Sequence, residues 1–233
     1  MRTTIDDALA QLSDGPVTVP KVIFPESKTD VNLEDYIFLP KHNLYVAKEK
    51  SLRKKNWYQA HEELNKEGAR MLNIREFVDF LILLSSNDVE DGLGNKLAES
   101  EVELIRNEIL EQRDHWRAEW LDANFSLSKD QLYINYNHRM VDGKLEPQNS
   151  ELLEECLMEI KSIGLDYWLK NATKQGLPPN NISDGKFCYW YPSNNTVAEF
   201  DADANRVCLY CHRDPLLSDA SLGVRQAREK NRP

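Results

Sequence analysis

The stretch Val207-Cys208-Leu209-Tyr210-Cys211-His212-Arg213-Asp214 alternates two kinds of side chain. A strand with a period of two places Val207, Leu209, Cys211 and Arg213 on one side and Cys208, Tyr210, His212 and Asp214 on the other. The first set reads mostly as a core face. The second combines a thiol, a phenol, an imidazole and a carboxylate, so it is neither a solvated polar face nor an apolar one. Cys208 and Cys211 have CxxC spacing with His212 adjacent, but residues three apart in a regular strand point to opposite faces. The chain has no second CxxC, so the spacing does not predict a metal site.

Around this stretch the composition changes. Residues 200–224 contain no Lys, Glu, Gln, Met or Trp, although these types make up roughly a quarter of the chain and about six would be expected in such a window. The five types share one property: none is reachable from an asparagine codon whose two adenines are replaced at random. Cys, Tyr, His, Asp, Leu and Arg all are. The β pattern itself runs over residues 187–228. It follows Leu177-Pro178-Pro179-Asn180-Asn181, the clearest breaker in the sequence.

Further upstream the pattern is largely helical. Tyr36-Ile37-Phe38-Leu39 and Leu44-Tyr45-Val46 read as short strands on either side of Pro40. Asn56 is a good N-cap for a helix carrying Trp57, Ala60 and Leu64 and ending at Gly68. Asn73 with Glu76 forms a capping-box pair ahead of the apolar stripe Phe77, Phe80, Leu81 and Leu84. Ser100 with Glu103 predicts a second capping box, opening a third helix lined by Val102, Ile105 and Ile109. Leu132, Ile134, Tyr136 and Met140 alternate with Asn135, Asn137 and Arg139 before Asp142-Gly143, a strong hairpin signal. Residues 151–161 and 165–174 read as two more helices, the second ending at Gly176. Residues 1–30 are weakly patterned, and Pro16, Pro20 and Pro25 discourage helix there. The expected class is α+β, helices early and strands late, in a single domain over residues 1–233.

Composition narrows the function. The 233 residues carry a formal net charge of −10, which argues against a nucleic-acid binder, since phosphate contacts need clustered Lys and Arg. The one basic cluster, residues 48–55, is short. No apolar run approaches the roughly 20 residues of a membrane span, and the polar, acidic start does not resemble a secretory signal. The four cysteines are too few for a disulfide framework and read as free thiols. His61-Glu62 begins like a zinc-protease helix, but Asn65 stands where the second histidine would be, so both read as helix-surface residues. Gly92-Leu93-Gly94-Asn95-Lys96 lacks phosphate-loop spacing. Glu146-Pro147-Gln148-Asn149 is one residue off a calcium-lectin tripeptide. No catalytic constellation, cofactor or metal is expected.

The chain resembles the variable proteins of diversity-generating retroelements. In that family a template repeat rich in Asn codons is copied, with adenine-specific errors, into a C-terminal variable region. The likeness rests on Val197-Ala198-Glu199-Phe200-Asp201-Ala202-Asp203, on Leu209, Cys211, Arg213 and Pro215, and on Ser221-Leu222-Gly223-Val224-Arg225-Gln226-Ala227-Arg228. These are similar to variable regions of an archaeal and uncultivated-bacterial branch. The closing Gly-Val-Arg-x-Ala-Arg resembles the last strand of C-type-lectin-like and formylglycine-generating-enzyme-like domains. Gly68-Ala69-Arg70-Met71-Leu72-Asn73-Ile74-Arg75-Glu76-Phe77 resembles the link into that fold's second helix.

The resemblance covers roughly residues 45–85 and 187–228, and marks 88–180 as an inserted helical and hairpin elaboration. It implies a C-type-lectin-like fold of two helices packed on small antiparallel sheets. It also implies a non-enzymatic receptor for a protein or cell-surface ligand, displayed on a cell, on a virion or inside the cell. The diversified, solvent-exposed ligand contacts would be Tyr189, Tyr191, Asp201, Asp203, Arg206, Cys208, Tyr210, His212, Asp214, Leu217 and Asp219. Trp190, Phe200, Leu209, Cys211, Arg213, Leu222, Gly223, Val224 and Arg225 would be fixed scaffold. So would Glu199, which no such Asn codon can yield. Two alternatives stand beside this reading: an oxidase resembling the formylglycine-generating family, with Cys208 and Cys211 as its reactive pair, and a calcium-dependent carbohydrate lectin.

Overall fold

The computed structural model describes residues 31–86 and 88–230; the weakly patterned residues 1–30 lie outside them. β1 (Tyr36–Leu39) and β2 (Leu44–Ser51) form an antiparallel pair around a 3-10 turn at Pro40–His42. α1 (Trp57–Lys66) and α2 (Ile74–Leu84) follow, with the short β3 (Arg70–Met71) between them. Both helices start as their sequences predict. Asn56 and Asn73 each accept a hydrogen bond from the backbone three residues on, and the Gln59 and Glu76 side chains bond back to the caps. Gly68, at φ 66°, closes the end of α1 in the left-handed region.

Next come α3 (Glu99–Leu110), β4 (Arg117–Ser128), β5 (Gln131–Val141), β6 (Lys144–Leu152), β7 (Lys161–Ile163) and α4 (Leu165–Asn171). The chain then turns to strand: β8 (Phe187–Trp190), β9 (Thr196–Ala202), β10 (Val207–Arg213) and β11 (Leu222–Glu229). The fold is α+β with a mixed sheet in the order β1-β2-β11-β4-β9-β10-β8-β7. β11/β4 and β10/β8 are its parallel pairs on this path, and β3 pairs with β11 while the β5–β6 hairpin extends from β4. Among the described residues no helix is long and apolar enough to cross a membrane.

Side chains on the two sides of this sheet build two cores. The larger takes Leu121, Ala123, Phe125, Phe200 and Leu209 from the strands, Phe77 and Phe80 from α2, Ile105 from α3 and Trp168 from α4. The smaller takes Ala118, Trp120, Val197, Leu222 and Val224 from the strands and Trp57, Ala60 and Leu64 from α1. β4, from the region expected to be an elaboration, lies between β11 and β9 and supplies both cores. It is integral to the sheet.

Three helical expectations need correction. Residues 151–161 are not a helix: Glu151 and Leu152 finish β6, paired with Ile134 and Tyr133, and residues 153–160 run as coil to β7. Tertiary pairing outweighs local propensity here, and Gln175 fastens the coil through bonds to the Leu152 carbonyl (2.9 Å) and the Glu154 amide (2.9 Å). α4 stops at Asn171, not 174. The turn after it places Gly176 (φ 90°) against α2, where a Cβ would lie 2.5 Å from the Arg75 nitrogen. α3 begins at Glu99 after an Ala98 cap that makes no side-chain bond, so Ser100 and Glu103 form no capping box. Val102, Ile105 and Ile109 are buried as predicted.

Candidate functional site

β9, β10 and β8 lie side by side, so their alternation can be read across one sheet. Cys208 stands opposite Asp201 and Cys188, Leu209 opposite Phe200 and Tyr189, and Tyr210 opposite Glu199 and Trp190. Leu209, Phe200, Tyr189 and Cys211 belong to the larger core. Cys188, Trp190, Glu199, Asp201, Cys208 and Tyr210 therefore share the other face, the side that α1 covers further along the sheet. A one-residue irregularity between Tyr210 and Arg213 brings Arg213 to the same face, opposite Val197.

The face is a packed polar cluster with aromatic walls. Trp190 stacks on Tyr210 with ring centroids 5.2 Å apart. The guanidinium groups of Arg213 and Arg206 lie 4.2 and 5.5 Å from the centre of the Tyr210 ring. Arg213 also pairs with Glu199 and, at 3.3 Å, with Asp201, whose Oδ2 accepts from the Trp116 indole at 3.0 Å. Glu199 is 0% exposed and Asp201 2%, yet Glu199 Oε2 and Asp201 Oδ1 have no partner among the described residues. Burial pushes the Glu199 carboxyl up to about 7, against the pull of Arg213. Burial also raises Asp201, against the Trp116 hydrogen bond and Arg213.

The two carboxyls rise together, whereas the thiols diverge. Hydrogen bonding from Cys208 and the charge of Arg206 bring Cys188 down to about 7, although burial opposes them. Cys208 is raised by burial and by Cys188, and Cys211, enclosed in the core, is raised well above the ordinary thiol range.

The expected contact residues divide by position. Arg206, His212, Asp214 and Asp219 are exposed, and Tyr191, Asp203 and Leu217 are half-buried. Asp203, Asp214 and Asp219 each also accept a backbone N–H two residues on, so they shape their loops. Asp201, Cys208 and Tyr210 lie on the expected face but are buried, because Arg213, Trp190 and Trp116 cluster there with them. Tyr189 is a correction. It sits wholly in the larger core, and Trp190, expected as scaffold, occupies the face; the parallel register with β10 sets that phase. Arg213 likewise moves from scaffold to face through the irregularity in β10. Phe200, Leu209, Cys211, Leu222, Val224 and Arg225 are buried as expected, and Cys208 and Cys211 fall on opposite sides of the sheet.

A second cluster had no counterpart in the expectations. His61 is not a helix-surface residue: it is 0% exposed, and the sequence signal was its place on the apolar stripe Trp57-Ala60-His61-Leu64. β5 delivers His138, and an irregularity in β4 between Trp120 and Asn124 delivers Asp122. His138 Nδ1 lies 2.5 Å and His61 Nε2 3.5 Å from Asp122 Oδ1. Burial brings the His61 imidazole down to about 4, against the attraction of Asp122. These two imidazoles and one carboxylate are a donor set able to hold a metal.

Two clefts, one lined by Leu132, Leu153 and Cys156 and the other by Tyr36, Lys48 and Arg228, share no residue with either cluster. No family model, no curated protein and no solved structure matches this chain.

Proposed function

We propose that this chain is a ligand-binding variable protein of the diversity-generating-retroelement type, built on a C-type-lectin-like scaffold, with the β8–β9–β10 face and its adjoining loops as the binding surface. One observation carries the reading. The window that lacks Lys, Glu, Gln, Met and Trp is also the window in which buried core residues alternate with a polar face, where Asp201 keeps a carboxylate oxygen without a partner among the described residues.

The physics favours such a division. A surface that survives random substitution cannot carry the core. Surface changes usually cost within about 0.5 kcal/mol, whereas core truncations cost about 2–5. The exposed or half-buried residues of the face and its loops, Trp190, Tyr191, Arg206, His212 and Asp214, spread over β8, β10 and the adjoining connections, which suits a macromolecular partner. Trp190 and Tyr191, both half-buried, offer amphipathic area at low entropic cost, as in antibody paratopes. Affinity would come from side chains and the ligand would be a protein or cell-surface group; the net charge of −10 disfavours nucleic acid.

The test is the DNA around the gene. The expected result is a near-copy of the stretch coding residues 189–228 beside a reverse-transcriptase gene. It should carry Asn codons at Asp201, Cys208, Tyr210 and His212 and match at Leu209 and Cys211. A neighbourhood with neither the copy nor the reverse transcriptase refutes the retroelement reading.

A further inference from the structure

α1 is distant in sequence from the β4–β5 hairpin, yet α1, β4 and β5 each bring one metal-ligating side chain to the same buried cluster. We infer that His61, Asp122 and His138 form a structural site for a divalent transition-metal ion, with Zn2+ the best match, which staples α1 to the β4–β5 hairpin. The site is independent of the binding face and does not rest on the retroelement reading.

Geometry is the first support. One ligand atom from each of the three residues lies within 4.8 Å of the others. Ligands held about 2.0–2.1 Å from a tetrahedral zinc stand ~3.3 Å apart. The His61–Asp122 separation of 3.5 Å already matches, and the 2.5 Å His138–Asp122 pair needs to open by less than an ångström.

The second support is an unexplained group. Both ring nitrogens of His61 are buried without a hydrogen-bond partner among the described residues. Burying an imidazole this way costs free energy unless something binds it, and a metal on Nε2 supplies one of the two missing partners. Asp122 is also held as a ligand needs to be. Its Oδ2 accepts from the His138 backbone at 2.9 Å, and its own amide donates to the Leu72 carbonyl at 2.8 Å.

The donor set selects the ion. Two imidazole nitrogens and one carboxylate oxygen suit Zn2+ and its first-row neighbours; Ca2+ and Mg2+ require mainly oxygen. Trp57 packs its ring against both imidazoles, with centroids 4.2 Å from His61 and 4.9 Å from His138. All three ligands are buried, which assigns the ion a structural role, with the fourth tetrahedral position left to a ligand other than these three residues. The competing charge is Arg139, which pairs with Glu229 at 3.9 Å.

The experiment uses the full chain, stripped by chelator and reloaded with Zn2+ or Co2+, with metal content, the visible Co2+ spectrum and thermal melting as readouts. The expected result is about one ion per chain, a tetrahedral-type Co2+ band, and a melting temperature raised by about 5 °C or more. His61→Leu and Asp122→Asn should each abolish stoichiometric uptake and the band, while Glu62→Gln, on the exposed side of α1, should retain both. Asp122→Asn keeps the side-chain volume, so it decides the matter if His61→Leu fails to fold. Folded wild type that takes up no Zn2+ or Co2+, or variants that take it up as wild type does, overturns the proposal. So does a His61→Leu protein that is simply more stable than a wild type insensitive to metal, because the histidine would then be only an unsatisfied core residue.

Discussion

Two of the sheet's buried carboxylate sites, on β4 and β9, obey the same electrostatics and arrive at opposite states. At β4–β11, Glu119 meets Arg225 in two bonds of 3.0 and 2.7 Å, both residues are buried, and Arg225 also donates to the Ala47 and Lys48 carbonyls. Burial would raise Glu119, but Arg225 outweighs it and the carboxyl ends below its usual range. At β9–β10, Glu199 and Asp201 share Arg213, whose side chain is 26% exposed, and each keeps an oxygen without a partner. There burial wins and both carboxyls rise. A matched, fully bonded pair belongs to the scaffold. An under-satisfied pair beneath a half-open arginine holds unfavourable energy that a partner for the free oxygens would relieve.

Arg225→Met breaks this comparison most directly. It strands the Glu119 charge in the interior, so the expected loss is about 3–5 kcal/mol, measured by urea denaturation at pH 7. A loss below about 1 kcal/mol would mean that the pair does not hold β11 to β4.

Glu199→Gln tests the other site and should have the opposite sign. A carboxyl moved from 4.5 to about 7 in the folded state makes that state bind more protons than the unfolded one between those values. Stability then falls as pH rises through the window, by about 3 kcal/mol at most. Glu199→Gln should therefore be nearly neutral at pH 4.5 and stabilising at pH 8, and should flatten the pH dependence. Asp201 contributes in the same direction and leaves a residue of slope. A destabilised Glu199→Gln at pH 8 would show that Arg213 satisfies the carboxylate fully, and the contrast between the two sites would vanish.

The same contrast explains what could be read from the sequence. α1 and α2 were legible because their start signals are local: the Asn56 cap and the Asn73–Glu76 capping box bond within one turn. The β5–β6 hairpin was legible from alternation and Asp142-Gly143. Residues 151–161 were not, because what holds them is pairing with β5 and the Gln175 side chain, both distant in sequence. The phase of β8 was illegible for another reason. Phe187-Cys188-Tyr189-Trp190 is apolar or aromatic at every position, so a period of two offers no preferred face, and only the register with β10 puts Tyr189 in and Trp190 out. The carboxylate cluster was partly visible, since Asp201 and Tyr210 were expected on one face. Arg213 joined them through an irregularity that alternation cannot anticipate. His61 was missed although Trp57, Ala60 and Leu64 already marked its side of the helix as buried.

The smallest perturbation sharpens the comparison at the thiols, where no side chain need be removed. Cys156, Cys208 and Cys211 are buried and raised, whereas Cys188 is half-exposed and brought down to about 7. Only the thiolate attacks an alkylating agent. In the folded protein, iodoacetamide should modify Cys188 alone, at a rate that rises with pH and reaches half its plateau near pH 7. Peptide mass spectrometry after a timed pulse would read both. Cys208→Ala removes the donor that holds the Cys188 thiolate and should move the midpoint up; Arg206→Gln should move it less, because its charge is the weaker cause. Uniform labelling of all four thiols would mean that the sheet opens on the timescale of the pulse. A midpoint near the ordinary thiol value would mean that the Cys188–Cys208 contact does not persist, and the polar face would then be looser than the carboxylate chemistry beside it requires.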